Sequence, residues 1–175
     1  METVTSKDGT TIGFDRLGSG PPVVLVCGAS VTRGADAQLA ELLSTDLTVF
    51  NYDRRGRGDS TDTSPYAIER EVEDLGAVID AAGGSAGVWG SSSGGALALI
   101  AASRGLPITK LALWEPPFVP DGFPKPPTDQ VEQYETMIAE DRRGDAVEYF
   151  MTVAVGMPVE FVAQMREMPI WPAFE

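Results

Sequence analysis

An α/β architecture, with a mostly parallel central sheet flanked by helices, is predicted by three observations. Val23-Val24-Leu25-Val26-Cys27 is an unbroken apolar run, the pattern of a strand covered on both faces. Up to about residue 115, short apolar strands alternate with segments of helical periodicity, the order that builds parallel sheets. The chain has 175 residues, 43% of them hydrophobic, enough to bury a core and too many for a wholly disordered protein.

Each element follows from its local pattern. Glu2 to Ser6 and Thr10 to Leu17 read as a hairpin turning at Asp8-Gly9, a type I′ signal. Gly18-Ser19-Gly20-Pro21-Pro22 breaks the chain before the Val23–Cys27 strand. A helix near Ala35 to Ser44 and a strand over Leu47 to Tyr52 come next. Ser64-Pro65 reads as a capping side chain and first-turn proline. In the helix that follows, Ile68, Val72, Leu75, Val78 and Ile79 form the apolar stripe, and Glu69, Glu71, Glu73 and Asp74 are expected to face water. Ala86 to Trp89 is a short strand, Ala96 to Arg104 a nearly all-apolar helix, and Thr109 to Trp114 the last strand. Six of the thirteen prolines lie between Pro116 and Pro127, a stiff crossing segment. Three helical patterns then follow, near Asp129 to Arg142, Asp145 to Val155 and Val159 to Glu167. The expected division is a core over 1–115, the crossing over 116–127, and a helical appendage over 128–175.

Charge and composition exclude several classes. The net charge of −13 disfavours nucleic acid and anionic membranes as partners, and no apolar run is long enough to span a bilayer. The N-terminus lacks the basic and apolar regions of a secretory signal, and Cys27 is the only cysteine. A reducing, cytoplasmic setting is therefore expected. There is no histidine, which excludes histidine zinc sites and a complete Ser-His-Asp triad within these residues. No G-x-G-x-x-G with an acidic partner follows a strand, and neither a cofactor nor a metal is assigned.

Gly90-Ser91-Ser92-Ser93-Gly94 matches G-x-S-x-G, with a strand running in and a helix running out. That setting predicts a strained strand-to-helix turn holding Ser92 out above the sheet, with helix N–H groups beneath it suited to a developing oxyanion. Linker composition is the alternative reading of Gly-Ser-Ser-Ser-Gly, but a linker does not join a strand to a buried helix without spare residues. Cys27-Gly28-Ala29 ends the central strand and offers the Ala29 N–H beside that of Ser93. Asp53-Arg54-Arg55-Gly56-Arg57-Gly58-Asp59-Ser60 follows another strand, its Asp/Arg pairs suited to tying a loop down. Without G-K-[S/T] it is not a phosphate loop, and Arg57-Gly58-Asp59 is a coincidental integrin-type tripeptide.

Together, the hairpin, the turn at 27–29, the D-x-R-G-x-G-x-S loop at 53–60 and the elbow at 90–94 resemble the α/β-hydrolase superfamily of serine esterases and lipases. The resemblance covers nearly the whole chain. It implies Ser92 as nucleophile, Ala29 and Ser93 N–H groups as the oxyanion hole, and a helical cap from Pro116 onward, incomplete here. Cys27 replaces the usual histidine of the 27–29 turn. The family's acid and histidine follow later strands that this sequence does not contain.

No local group replaces the missing base. Lys7 lies in the first hairpin, Lys110 near the far end of its strand, and Lys125 in the crossing. Glu115 ends the strand beside the elbow, the strand end from which some family members take their acid. It is either an alternative acid or a glutamate hydrogen-bonded to backbone in the Glu115-Pro116-Pro117 turn. Losing the later strands leaves Leu111–Trp114 as a bare edge, open to self-association or to a complementing chain. Tyr134, Met137, Tyr149, Phe150, Met151, Phe161, Met165 and Trp171 are candidates either to line an apolar pocket or to pack on the core. The expected substrate is a small, uncharged, moderately apolar ester; a non-catalytic binding protein or subunit retaining the fold is the alternative.

Overall fold

A computed structural model of the protein describes residues 1–118, 121–122 and 127–174. They fall into two compact units, Met1–Pro117 and Phe118–Glu175. Lys125 and part of the proline-rich crossing lie outside the described residues.

The first unit is a six-stranded mixed sheet in the order β1-β2-β4-β3-β5-β6. Its strands are β1 (Glu2–Thr5), β2 (Thr11–Leu17), β3 (Pro22–Val26), β4 (Thr48–Tyr52), β5 (Ala86–Ser91) and β6 (Ile108–Trp114). β2 runs antiparallel to both β1 and β4, and the pairs from β4 to β6 are parallel. Three helices cover it: α1 (Ala37–Leu43), α2 (Ile68–Ala81) and α3 (Ser93–Ser103). β4 shows why its sequence does not alternate: all five residues are buried. Phe50 and Tyr52 pack with Leu75 and Ile79 of α2 and Leu97 of α3, whereas Val49 packs with Leu25 and with Ala40 of α1. From β3 the chain steps to β4 on one side and later to β5 on the other. The loops after β3 and β5 therefore leave neighbouring parallel strands where the strand order reverses, the usual place for a ligand crevice.

Three expectations are corrected. The first hairpin is not type I′, because only Gly9, at φ 91°, lies in the left-handed region. The Gly9 N–H donates to the Ser6 carbonyl and the Ser6 N–H to the Thr10 carbonyl, which is a type I turn closed by a glycine bulge. α2 begins at Ile68 rather than at Ser64-Pro65. The chain first runs alongside β2, where the Thr61 N–H donates to the Thr11 carbonyl and the Thr10 hydroxyl to that of Thr63. Glu71 and Asp74 do not face water; they are 3% and 1% exposed. Two arginines just after β4 fork onto them. Arg54 meets Glu71 through two bonds of 2.7 Å, and Arg55 meets Asp74 at 2.7 and 2.8 Å.

Among the described residues β6 pairs only with β5, and Trp114 on it is 64% exposed. No helix of the described residues is long and apolar enough to cross a membrane. The second unit contains α4 (Gln130–Ala139), α5 (Arg143–Tyr149) running into a π turn (Phe150–Ala154), and α6 (Val159–Arg166). Val147, Met151, Val162 and Trp171 are buried together, with Phe150, Met157, Met165 and Phe174 against them. Tyr134 and Tyr149 meet edge-on at 5.3 Å. Several side chains anticipated as pocket or cap-on-core residues thus build this unit's own small core.

Candidate active site

The elbow follows from backbone crowding. β5 delivers the chain to Ser91, Ser92 takes φ 48° and ψ −122°, and α3 starts at Ser93. A non-glycine residue in that region is strained and is held only where its surroundings over-determine it. Here they do. The Ser92 N–H donates to the Trp114 carbonyl of β6 at 2.8 Å, and its own carbonyl accepts from the Ala96 N–H of α3. A Cβ on Gly90 would lie 2.7 Å from the Gly94 carbonyl oxygen, and one on Gly94 would collide with the carbonyls of Val26 and Cys27. Strand and helix backbones touch, and Ser92 at the turn between them is exposed, whereas Ser91 and Ser93 are half-buried and Gly94 and Gly95 buried. Gly94→Ala is expected to cost about 1–3 kcal/mol through overpacking against main chain that cannot move aside. A lowered urea midpoint at unchanged slope would show it; an unshifted midpoint would contradict this account.

The turn after β3 lies against the elbow. A Cβ built on Gly28 would sit 3.5 Å from the Ser92 Cβ and 3.6 Å from the Ser91 carbonyl oxygen. Ala29 is the next residue, and Ser30 turns the chain at φ 56°. Ser93 is the first residue of α3, and first-turn N–H groups have no acceptor inside their own helix. The buried Cys27 side chain shapes this turn, its thiol donating to the Val31 carbonyl at 3.6 Å, and burial pushes its pKa up.

The loop at 53–60 explains what holds this geometry. Buried Asp53 accepts from the Arg33 and Asp59 N–H groups at 2.7 and 2.9 Å and pairs with the Arg33 guanidinium. The Ser60 hydroxyl donates to the Asp53 carbonyl and accepts from the Gly13 N–H. Two side chains leave this frame for the site. Besides its fork onto Glu71, Arg54 donates through Nη1 to the Ser93 hydroxyl at 2.9 Å and to the Cys27 carbonyl at 3.3 Å. Arg57 donates to the Gly28 carbonyl at 2.6 Å. Burial disfavours the Arg54 charge, but the Glu71 bonds and charge outweigh it and its pKa rises. Arg57 has no such carboxylate among the described residues, and burial together with the Arg54 charge draws its pKa down. The sequence reading assigned neither arginine to the site. The available signal was two consecutive arginines at a strand end, ahead of acidic residues spaced i, i+3 on an apolar helix face.

Glu115 follows β6 in a left-handed conformation at φ 46°, one residue beyond the carbonyl that fixes Ser92. It is exposed, and among the described residues its side chain bonds no backbone group, unlike the structural reading of that turn. Lys7 pairs with Glu73 at 3.2 Å, and Lys110 pairs in register with Gly87, toward the start of β5 and away from the elbow.

With this geometry described, comparison with known proteins decides the family. Residues 23–174 match the model of the alpha/beta hydrolase family. The chain belongs to that family. The solved structures similar to this α/β hydrolase include an alpha/beta hydrolase from Sphaerobacter thermophilus DSM 20745, 59% identical with a TM-score of 0.94. That match covers 99% of this chain and 68% of the other. The Bottromycin epimerase BotH, solved in complex with Bottromycin A2, is 26% identical with a TM-score of 0.70, covering 99% and 69%. The esterase RhEst1 from Rhodococcus sp. ECU1013 is 25% identical with a TM-score of 0.60, covering 64% and 44%. The α/β hydrolase thus spans about two thirds of the length of the first two.

Proposed function

We propose that this α/β hydrolase is a serine hydrolase cleaving an ester or related acyl bond through an acyl-enzyme on Ser92. The observation that carries the proposal is the backbone of Ser92, held at φ 48° between β5 and α3 with its side chain exposed. Ser92 Oγ attacks the carbonyl carbon, and the Ala29 and Ser93 N–H groups receive the negative charge on the carbonyl oxygen. A base takes the Ser92 hydroxyl proton and returns it to the leaving alcohol as the ester C–O bond breaks, and a water deprotonated by the same base then displaces Ser92 and releases the acid. The sequence holds no histidine, so the base comes from outside these 175 residues, and Glu115 is the alternative acid to orient it. The net charge of −13 favours a small, uncharged and moderately apolar substrate over an anionic one, and the lone thiol suits the cytoplasm. The edge of β6, which among the described residues pairs only with β5, is the surface for self-association or for a complementing chain.

Labelling tests the proposal. An uncharged fluorophosphonate is expected to modify the α/β hydrolase, extended past residue 175 to include a histidine, at one site on the peptide following Arg70. Fragmentation should place the adduct on Ser92. Adduct on Ser91 or Ser93 only, or none, would refute it. A second reading is favoured by the likeness to BotH, an epimerase, together with the absence of histidine: a protein that binds its ligand on this fold without acyl transfer. Saturable ester binding with no turnover in the extended chain would select it.

A further inference from the structure

Arg57 stands apart from its neighbours. Arg33, Arg54 and Arg55 each fork onto carboxylates, whereas Arg57, half-buried, meets no carboxylate among the described residues. Its Nη1 instead donates to the Gly28 carbonyl at 2.6 Å and approaches the Val31 carbonyl at 3.5 Å. A desolvated cation spent on main-chain carbonyls is costly unless the loop conformation it secures has a use. The Gly28–Ala29 peptide is planar and trans, so its C=O and N–H point in opposite directions. Fixing the Gly28 oxygen on Arg57 therefore aims the Ala29 N–H away from the guanidinium. The backbone at Gly28 lies against Ser92. Gly28 has no side chain to restrict its side of this peptide, so without an anchor the N–H direction is held less firmly.

We propose that Arg57 is a positioning residue for acyl transfer, holding the Gly28 carbonyl so that the Ala29 N–H faces the oxyanion formed at Ser92. This rests on the reading of Ser92 as nucleophile. The test uses the chain extended past residue 175, with an uncharged aryl ester as substrate and an alkyl trifluoromethyl ketone as transition-state analogue. Arg57→Met is expected to lower kcat by about 10- to 100-fold, somewhat less than outright loss of an oxyanion donor, with KM unchanged. Inhibition by the ketone should weaken by the same factor, which a merely structural role would not produce. Arg57→Lys, which keeps a donor, should recover most of the loss. If Arg57→Met does not fold, Arg57→Gln, too short to reach the Gly28 carbonyl, is read in the same way. Wild-type kcat in the variant, or a loss carried by KM with unchanged ketone affinity, would overturn the positioning role while fluorophosphonate labelling of Ser92 still upholds the hydrolase. No labelling of the wild-type chain overturns both.

Discussion

Ser92→Ala, made in the α/β hydrolase extended past residue 175, is expected to lower kcat on an uncharged aryl ester by at least about 10³-fold with little change in KM. The size follows from what the hydroxyl does: it forms a bond only in the reacting complex, so its removal costs transition-state stabilisation and spares ground-state binding. The neighbouring serines cannot take over. Ser91 belongs to β5, and the Ser93 hydroxyl accepts from Arg54 at the start of α3. Ser91→Ala should accordingly stay within about threefold of wild type. Steady-state kinetics beside the labelling assay provide the check, and an alanine variant with kcat within about tenfold of wild type would remove the nucleophile from the account.

Arg54→Met is expected to give the largest loss of stability, about 3–5 kcal/mol, because it leaves the Glu71 carboxylate buried without its counter-charge, held only by the Tyr66 hydroxyl at 2.9 Å. Both side chains are at most 6% exposed, so water cannot substitute. The pH dependence carries a sign that identifies the cause. In the wild type, burial pushes the Glu71 pKa up, but the Arg54 fork and its charge more than offset that, and the folded value lies below the ordinary one. The pair's contribution is therefore full above the unfolded glutamate pKa of about 4.3 and is lost as pH falls through the folded value. In Arg54→Met burial is opposed only by the Tyr66 hydroxyl bond and the Arg57 charge, so the folded pKa rises relative to the wild type. The deficit relative to wild type should shrink as pH falls from 7 toward 4. Arg54→Met/Glu71→Leu, with no stranded charge, should recover most of the midpoint in urea. A pH-independent deficit would point to lost packing instead.

The elbow was legible because its requirements are local. Two glycines four apart, an incoming strand and an outgoing apolar helix leave one geometry for residue 92. The β3 run was legible for the same reason, since burial on both faces writes itself into consecutive residues. The buried pairs were not. Periodicity treats every charged position as a solvent position, and nothing within α2 reveals that Glu71 and Asp74 have partners 17 and 19 residues earlier. The start of α2 was misplaced because Ser64-Pro65 carries a local capping signal, while the chain around it is committed to hydrogen bonds along β2. Asp8-Gly9 was ambiguous in kind: both turn types use a glycine with positive φ, but type I′ needs positive φ at Asp8 as well, and the Asp8 carboxylate, accepting from the Thr10 N–H at 3.0 Å, belongs to the bulged one.

The interlocked glycines also set where a mutational library at this centre has room to vary. Positions 90 and 94 admit an added carbon only if main chain shifts, and a Cβ at 95 would press on the Gly90 oxygen at 3.1 Å. Diversity introduced there will return mostly destabilised clones. Positions 91 and 93 carry side chains already and are only half-buried, so selection for new acyl preferences will draw its survivors from these two.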